Sequence, residues 1–192
     1  MGQKGESMSA DQGPALIIID VQEGLDDPRL GRRNNPDAES NMARLLKEWR
    51  RQGRPVFHIQ HMSTESESPL RPELSGNAIK AIVAPRGREP VIPKKVNNAF
   101  VGTDLRERLE RAMIQSLVIV GLTTDHCVST TVRMAGDLGY ETVVVADATA
   151  AHEKRSFDGS HYPADMVHDL ALAQLHQEFA TVLTTDQELN QG

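Results

Sequence analysis

Leu117-Val118-Ile119-Val120-Gly121-Leu122-Thr123-Thr124-Asp125-His126-Cys127-Val128 is the stretch around which the chain is organised. An apolar run ends at Gly121 and a short polar turn follows; Val128, Val132, Ala135 and Leu138 then recur at helical spacing. A buried strand therefore hands over to a helix, with Thr124 or Asp125 as the expected N-cap. The only cysteine of the chain, Cys127, stands at this handover. Backbone N–H groups at a helix start lack partners and the helix dipole is positive there, so the position favours a thiolate. The competing reading is a buried cysteine acting as a small hydrophobe.

Other strands and helices alternate outward from that centre. Ala15-Leu16-Ile17-Ile18-Ile19-Asp20 is an unbroken apolar run ending in a carboxylate, as in a parallel strand covered on both faces. Further strands are expected at Pro55–Gln60, Val91–Pro93, Leu117–Val120, Glu141–Ala146 and Thr181–Leu183. Helices are expected at Asp37–Gln52, Thr103–Met113, Val128–Leu138 and Ala164–Phe179. Residues 62 to 90 carry Ser, Pro, Gly and charge without periodicity; a loop of that length in a compact domain is a lid, a binding loop or an oligomer contact. The class is α/β: a Rossmann-like, doubly wound, mostly parallel six-stranded sheet with helices on both faces. One domain over residues 14–190 is expected, preceded by a flexible tail, 1–13.

Bulk properties restrict the function. A chain of 192 residues with 39% hydrophobic and 25% charged residues has an ordinary globular composition. A net charge of −6 without a Lys/Arg run argues against a nucleic-acid partner. One cysteine forms no internal disulfide, the N-terminus lacks the apolar core of a signal peptide, and no apolar run reaches membrane-spanning length. A cytoplasmic protein without a membrane partner is the expectation.

In an open parallel sheet, ligands bind beyond the carboxyl ends of the strands where strand order reverses. With the order 3-2-1-4-5-6, Asp20 and Cys127 face one crevice, and Lys94, just past the third strand, lies at the same end. A thiol, an amine and a carboxylate meeting there are a nucleophile with its activators.

These residues resemble the isochorismatase-like cysteine hydrolases, a family that includes nicotinamidases and other amidases. The resemblance runs from about Pro14 to Leu189. It is carried by Asp20-Val21-Gln22, by Lys94 with Asn98-Ala99-Phe100 and Gly102-Thr103-Asp104-Leu105, by Gly121 to Val128, and by Asp147-Ala148. The family triad falls on Asp20, Lys94 and Cys127; Lys94 is chosen over Lys95 by its spacing to Phe100. The resemblance further implies a cis peptide at Leu122-Thr123 and an oxyanion hole from the N–H groups of Thr123 and Cys127. Gln22 and Phe100 become substrate contacts, and a dimer or tetramer the working state. The implied reaction is cleavage of a C–N bond (amide, carbamoyl or lactam-type) in a small molecule through a thioester.

The departures are informative too. Nicotinamidases carry a metal motif, Asp-x-His, where this chain reads His61-Met62-Ser63. No metal and no cofactor are therefore expected: His58 and His61 suggest a metal pair, but His58 sits within a strand and no carboxylate lies close by. Isochorismatases proper cleave a vinyl ether and lack the cysteine, so Cys127 argues against that reaction. His126 adjoins Cys127 in sequence, yet neighbouring side chains on a helix start diverge, so no Cys–His dyad is expected. A nucleotide-binding domain would need a Gly-rich turn after the first strand, which Asp20-Val21-Gln22-Glu23-Gly24 does not supply. A non-catalytic interaction module of the same fold is the other alternative; it predicts loss of a triad member, and all three are present.

Overall fold

The computed structural model describes residues 13–191; the expected tail lies outside them except for Gly13. β1 (Ala15–Ile19) is buried along its whole length, as its unbroken apolar run requires. It pairs in parallel with β2 (Val56–His61) and with β4 (Ser116–Leu122). β3 (Val91–Lys94) adds to β2, β5 (Glu141–Ala150) adds to β4, and β8 (Thr181–Leu183) closes the far edge. The order β3-β2-β1-β4-β5-β8 is the doubly wound one, with its reversal between β1 and β4. Pro93 is tolerated because β3 is an edge strand.

Alternation along the strands feeds two cores. Ile17, Ile19, Phe57 and Ile59 pack beneath α2 (Leu105–Arg111), α3 (Ser129–Asp137) and α4 (Ala164–Leu175), through Leu105, Leu109, Val132 and Leu172. Leu16 and Ile18 face α1 (Ala38–Gln52), whose Met42, Leu45, Leu46 and Trp49 form one apolar stripe. Each large aliphatic side chain buried this way contributes about 1.5–3 kcal/mol. α1 begins after Asp37 and stops at Gly53, whose left-handed φ of 68° a residue with a Cβ resists.

The sheet is tightest at the switch point. Gly121 has φ +130°, and a Cβ there would lie 2.1 Å from the Ile19 carbonyl oxygen. The β4–β5 register also shifts between Ile119 and Gly121. Only a glycine lets β1 and β4 close so far, and this closure sets Asp20 against the turn that carries Cys127.

Several boundaries move from the sequence reading. β5 runs on to Ala150, so Asp147 lies inside it; its Oδ1 accepts the Thr185 N–H at 2.7 Å and the Thr185 hydroxyl at 2.8 Å. That bond fastens a last helix, α5 (Thr185–Leu189), opened by a Thr184/Gln187 capping box the periodicity did not reveal. α4 ends at Leu175, short of Phe179. A two-stranded hairpin, β6 (Lys154–Arg155) with β7 (His161–Tyr162), was also unanticipated. His58 does have a carboxylate beside it, Glu89 at 3.0 Å, because β2 and the end of the long loop meet in space. Among the described residues no helix is long and apolar enough to cross a membrane.

Candidate active site

Three strand ends, those of β1, β3 and β4, converge at the carboxyl edge of the sheet. Asp20 follows β1 directly and takes a positive φ of 51°, a conformation Asp tolerates better than most residues. Its N–H is held by the Ile59 carbonyl at 3.0 Å. Lys94 ends β3 beside His61, its register partner on β2. Cys127 lies in a wide helical turn, Thr124–Val128, between β4 and α3. The expected N-caps are not used. No side chain caps the turn or α3; Thr124 Oγ1 is 2.8 Å from His168 Nδ1, and Asp125 faces His126 and Lys154 at 3.4 Å each. A turn this wide needs no cap of the ordinary kind, because the Thr123 carbonyl already accepts the N–H groups of His126 and Val128.

The structure brings Asp20, Lys94 and Cys127 together. Lys94 Nζ donates to Asp20 Oδ2 at 2.5 Å and lies 3.4 Å from Cys127 Sγ, with both ionic side chains almost wholly buried. The same ammonium reaches His61 Nδ1 at 3.0 Å and the Val96 carbonyl at 3.1 Å. Asp20 Oδ1 is buried without a hydrogen-bond partner, the acceptor left for the thiol proton. The peptide Leu122-Thr123 is cis, as the resemblance implied.

The electrostatics correct one expectation. Burial pushes the Cys127 thiol up, the Asp20 carboxylate adds to this, and Lys94 opposes both without prevailing. Burial also raises Asp20, against the pull of Lys94. The turn therefore does not hold a standing thiolate. Carboxylate and thiol, both raised by burial beside the Lys94 ammonium, form a coupled pair able to share one proton. Position at a helix start was the wrong predictor here because desolvation and a neighbouring carboxylate outweigh it.

A cavity of about 220 Å³ opens over these groups. Leu25, Leu30, Pro69, Leu70 and Leu122 give it an apolar wall; His61, Ser68, Asn97, His126, His152 and Lys154 supply polar groups. The long loop thus does reach the site, through Ser68, Pro69 and Leu70. It is pinned by Asn77, whose amide donates to the His61 and Leu70 carbonyls at 2.8 and 2.6 Å, and by Lys80 bonded to Asp26 and Glu39. A larger hollow of about 620 Å³, lined by Pro14, Ser116, Glu141 and Thr181, sits at the opposite end of the strands, away from this chemistry.

Two expected substrate contacts are placed elsewhere. Gln22 is fully buried and clamps β2: its amide donates to the His61 and Asn77 carbonyls at 3.1 and 2.8 Å and accepts the His61 N–H at 2.8 Å. Phe100 packs on the core and stacks on Tyr140 with ring centroids 5.9 Å apart. Both belong to a motif whose spacing marks the fold as much as the site. Sequence reasoning gives no substrate-facing role to His61, Ser68, Asn97, His152 or Lys154, all of which line the cavity. Asn97 Oδ1 is 3.7 Å from Sγ, and nothing but its place after Lys94 could have flagged it. His126 lines the cavity, yet its ring nitrogen pairs with Asp125 instead of the thiol.

Asp20, His61 and Cys127 carry metal-type donor atoms within 4.8 Å of one another. The set does not suit a cation, because Lys94 Nζ already stands in contact with all three and supplies the positive charge.

The chain is similar to known proteins over most of its length. The model of the isochorismatase domain matches residues 14–187. An isochorismatase family protein of Bacillus subtilis, YrdC, is 49% identical over 176 residues, covering 92% of this chain and 94% of its own. The crystal structure of an isochorismatase-family protein from Chromobacterium violaceum superposes with a TM-score of 0.90 at 40% identity, covering 94% of each chain. A streptothricin hydrolase of Streptomyces noursei is 30% identical over 142 residues, 72% of this chain and 50% of its own length.

Proposed function

As the chain belongs to the isochorismatase family of hydrolases, we propose that it is a cysteine hydrolase that cleaves a C–N bond in a small amide, carbamoyl or lactam-type compound. The observation that carries this reading is the contact of the buried Lys94 with both Asp20 and Cys127 beneath an open cavity that those two residues line. In this mechanism the Cys127 proton passes to Asp20 and the sulfur attacks the substrate carbonyl carbon. The N–H groups of Thr123 and Cys127 receive the oxyanion. As the tetrahedral intermediate collapses, Asp20 returns its proton to the departing amine, leaving a thioester on Cys127. Asp20 then takes a proton from water, whose attack releases the acid and regenerates the thiol. Lys94 keeps one positive charge against whichever of Asp20 or Cys127 carries the negative one. An amine leaving group suits a carboxylic acid whose pKa burial has raised, since it can hold the proton until the C–N bond breaks.

Release of ammonia or amine from a panel of small amides and ureido compounds tests the reading, with Cys127→Ala as control. Turnover by the native protein and none by the variant is expected. Turnover that persists in Cys127→Ala removes the thioester route.

A further inference from the structure

Resting on that reading, we propose that His61 is a specificity-determining residue: anchored by Lys94 at Nδ1, it presents its Nε2–H to a second hydrogen-bond acceptor on the substrate, such as a further carbonyl.

The geometry fixes the tautomer. A lysine ammonium has only donors, so the 3.0 Å contact between Lys94 Nζ and His61 Nδ1 makes Nδ1 the acceptor. The ring's proton then resides on Nε2. Burial and the Lys94 charge hold the imidazole well below its ordinary pKa, at about 4, so the ring stays neutral at physiological pH and keeps one donor and one acceptor. The backbone on either side is locked as well: the His61 N–H and carbonyl are both held by Gln22, and the carbonyl also by Asn77. The imidazole is therefore a donor set in a fixed place.

Its place is the junction of two hollows. The cavity over Cys127 and a neighbouring one of about 510 Å³ share His61, Ser68, Asn97 and His126. The second is walled by polar groups, among them Ser63, Thr64, Glu65 and Lys95. A substrate with its scissile carbonyl at Cys127 would run past His61 into that polar chamber. A purely apolar tail would leave the chamber's donors and acceptors without partners, whereas a second carbonyl would accept from Nε2–H.

Two electrophiles of matched shape test this on the intact protein: chloroacetyl-glycinamide, which carries a second carbonyl, and N-isobutyl chloroacetamide, which does not. Both alkylate only cysteine here, and there is one. The ratio of their alkylation rates at one fixed pH, read by intact mass, cancels any general change in thiol reactivity. The native protein is expected to favour the glycinamide probe about fivefold, the worth of one net hydrogen bond. His61→Asn keeps an acceptor where Nδ1 stands, for Lys94, but has no donor where Nε2 stands; there and in His61→Phe the ratio falls to about one. His61→Gln, whose amide nitrogen extends to the place of Nε2, recovers most of it. A ratio of one in the native protein, or a ratio that survives in His61→Asn, overturns the role of His61 while leaving the thioester reading intact. A thiol inert to both probes in the folded protein overturns that reading and this proposal with it.

Discussion

Replacing Asp20 with Asn should make Cys127 ionise more readily while abolishing turnover. The carboxylate is among the causes that hold the thiol up, and Lys94 is the group that opposes it. A carboxylate oxygen and Sγ lie within 4.8 Å. At that separation and an effective dielectric of about 20, two unit charges repel by about 3.5 kcal/mol, equivalent to a fall of about 2.5 in the thiol pKa once the carboxylate is gone. Lys94, with no anion left except the sulfur, adds to the fall. The assay is the rate of iodoacetamide alkylation against pH, read by intact mass. In the native protein the rate should show a shallow plateau at neutral pH, where the shared proton sits on Asp20 in a fraction of molecules, and should climb only at alkaline pH. In Asp20→Asn the climb should come about two to three pH units earlier. Hydrolysis should nevertheless fall by about a hundredfold or more, because the amide can neither take the thiol proton nor protonate an amine. A titration in Asp20→Asn that is unmoved, or moved to higher pH, would refute the shared-proton description.

Two other perturbations, and a test of the state of association, follow from the same structure. Glu39, bonded to Arg33 and Lys80, is held down to about 2 from an ordinary 4.5. Its folded pKa lies below its unfolded one, so its stabilisation is present above about pH 4.5 and is lost as pH falls toward 2; the full linkage is about 3 kcal/mol. Urea melts of Glu39→Gln should therefore differ most from the native protein near neutral pH and converge with it in acid. Gly121→Ala should cost more than about 3 kcal/mol or prevent folding, since its Cβ would strike the Ile19 carbonyl; a melting temperature within a few degrees of native would contradict the close approach of β1 and β4. The working state is expected to be a homo-oligomer, for which α4 turns Met166 and Leu170 outward and Phe157 is fully exposed nearby in sequence; sedimentation showing only monomer would exclude it.

Much of the fold was legible because the sheet is buried on both faces. Unbroken apolar runs such as Ala15–Ile19 and Val143–Val145 leave little choice but parallel strands, and their alternation with helices sets the order. Asp20 and Cys127 could be singled out because each stands where a strand ends or a helix begins, whereas Lys94 is told from Lys95 only by the resemblance to the family. What periodicity could not show was contact made by side chains at long separation. Gln22 and Phe100 stand in the right motifs but turn into β2 and the core, respectively. In the sequence His61 reads only as half of an unsupported metal pair with His58, because its neighbour in space, Lys94, is 33 residues away. The protonation of Cys127 was misjudged because a local feature, the helix start, was weighed without the burial that only the folded chain imposes.

The central claim is a covalent thioester on Cys127, and its most direct test is an acid-quenched intact mass of the protein during turnover of an amide found in the panel. The account predicts a species heavier by the acyl fragment, mapped to Cys127, that decays as the acid product appears. Turnover at full rate by protein whose Cys127 has been stoichiometrically alkylated, with no acyl adduct at any time, would contradict it.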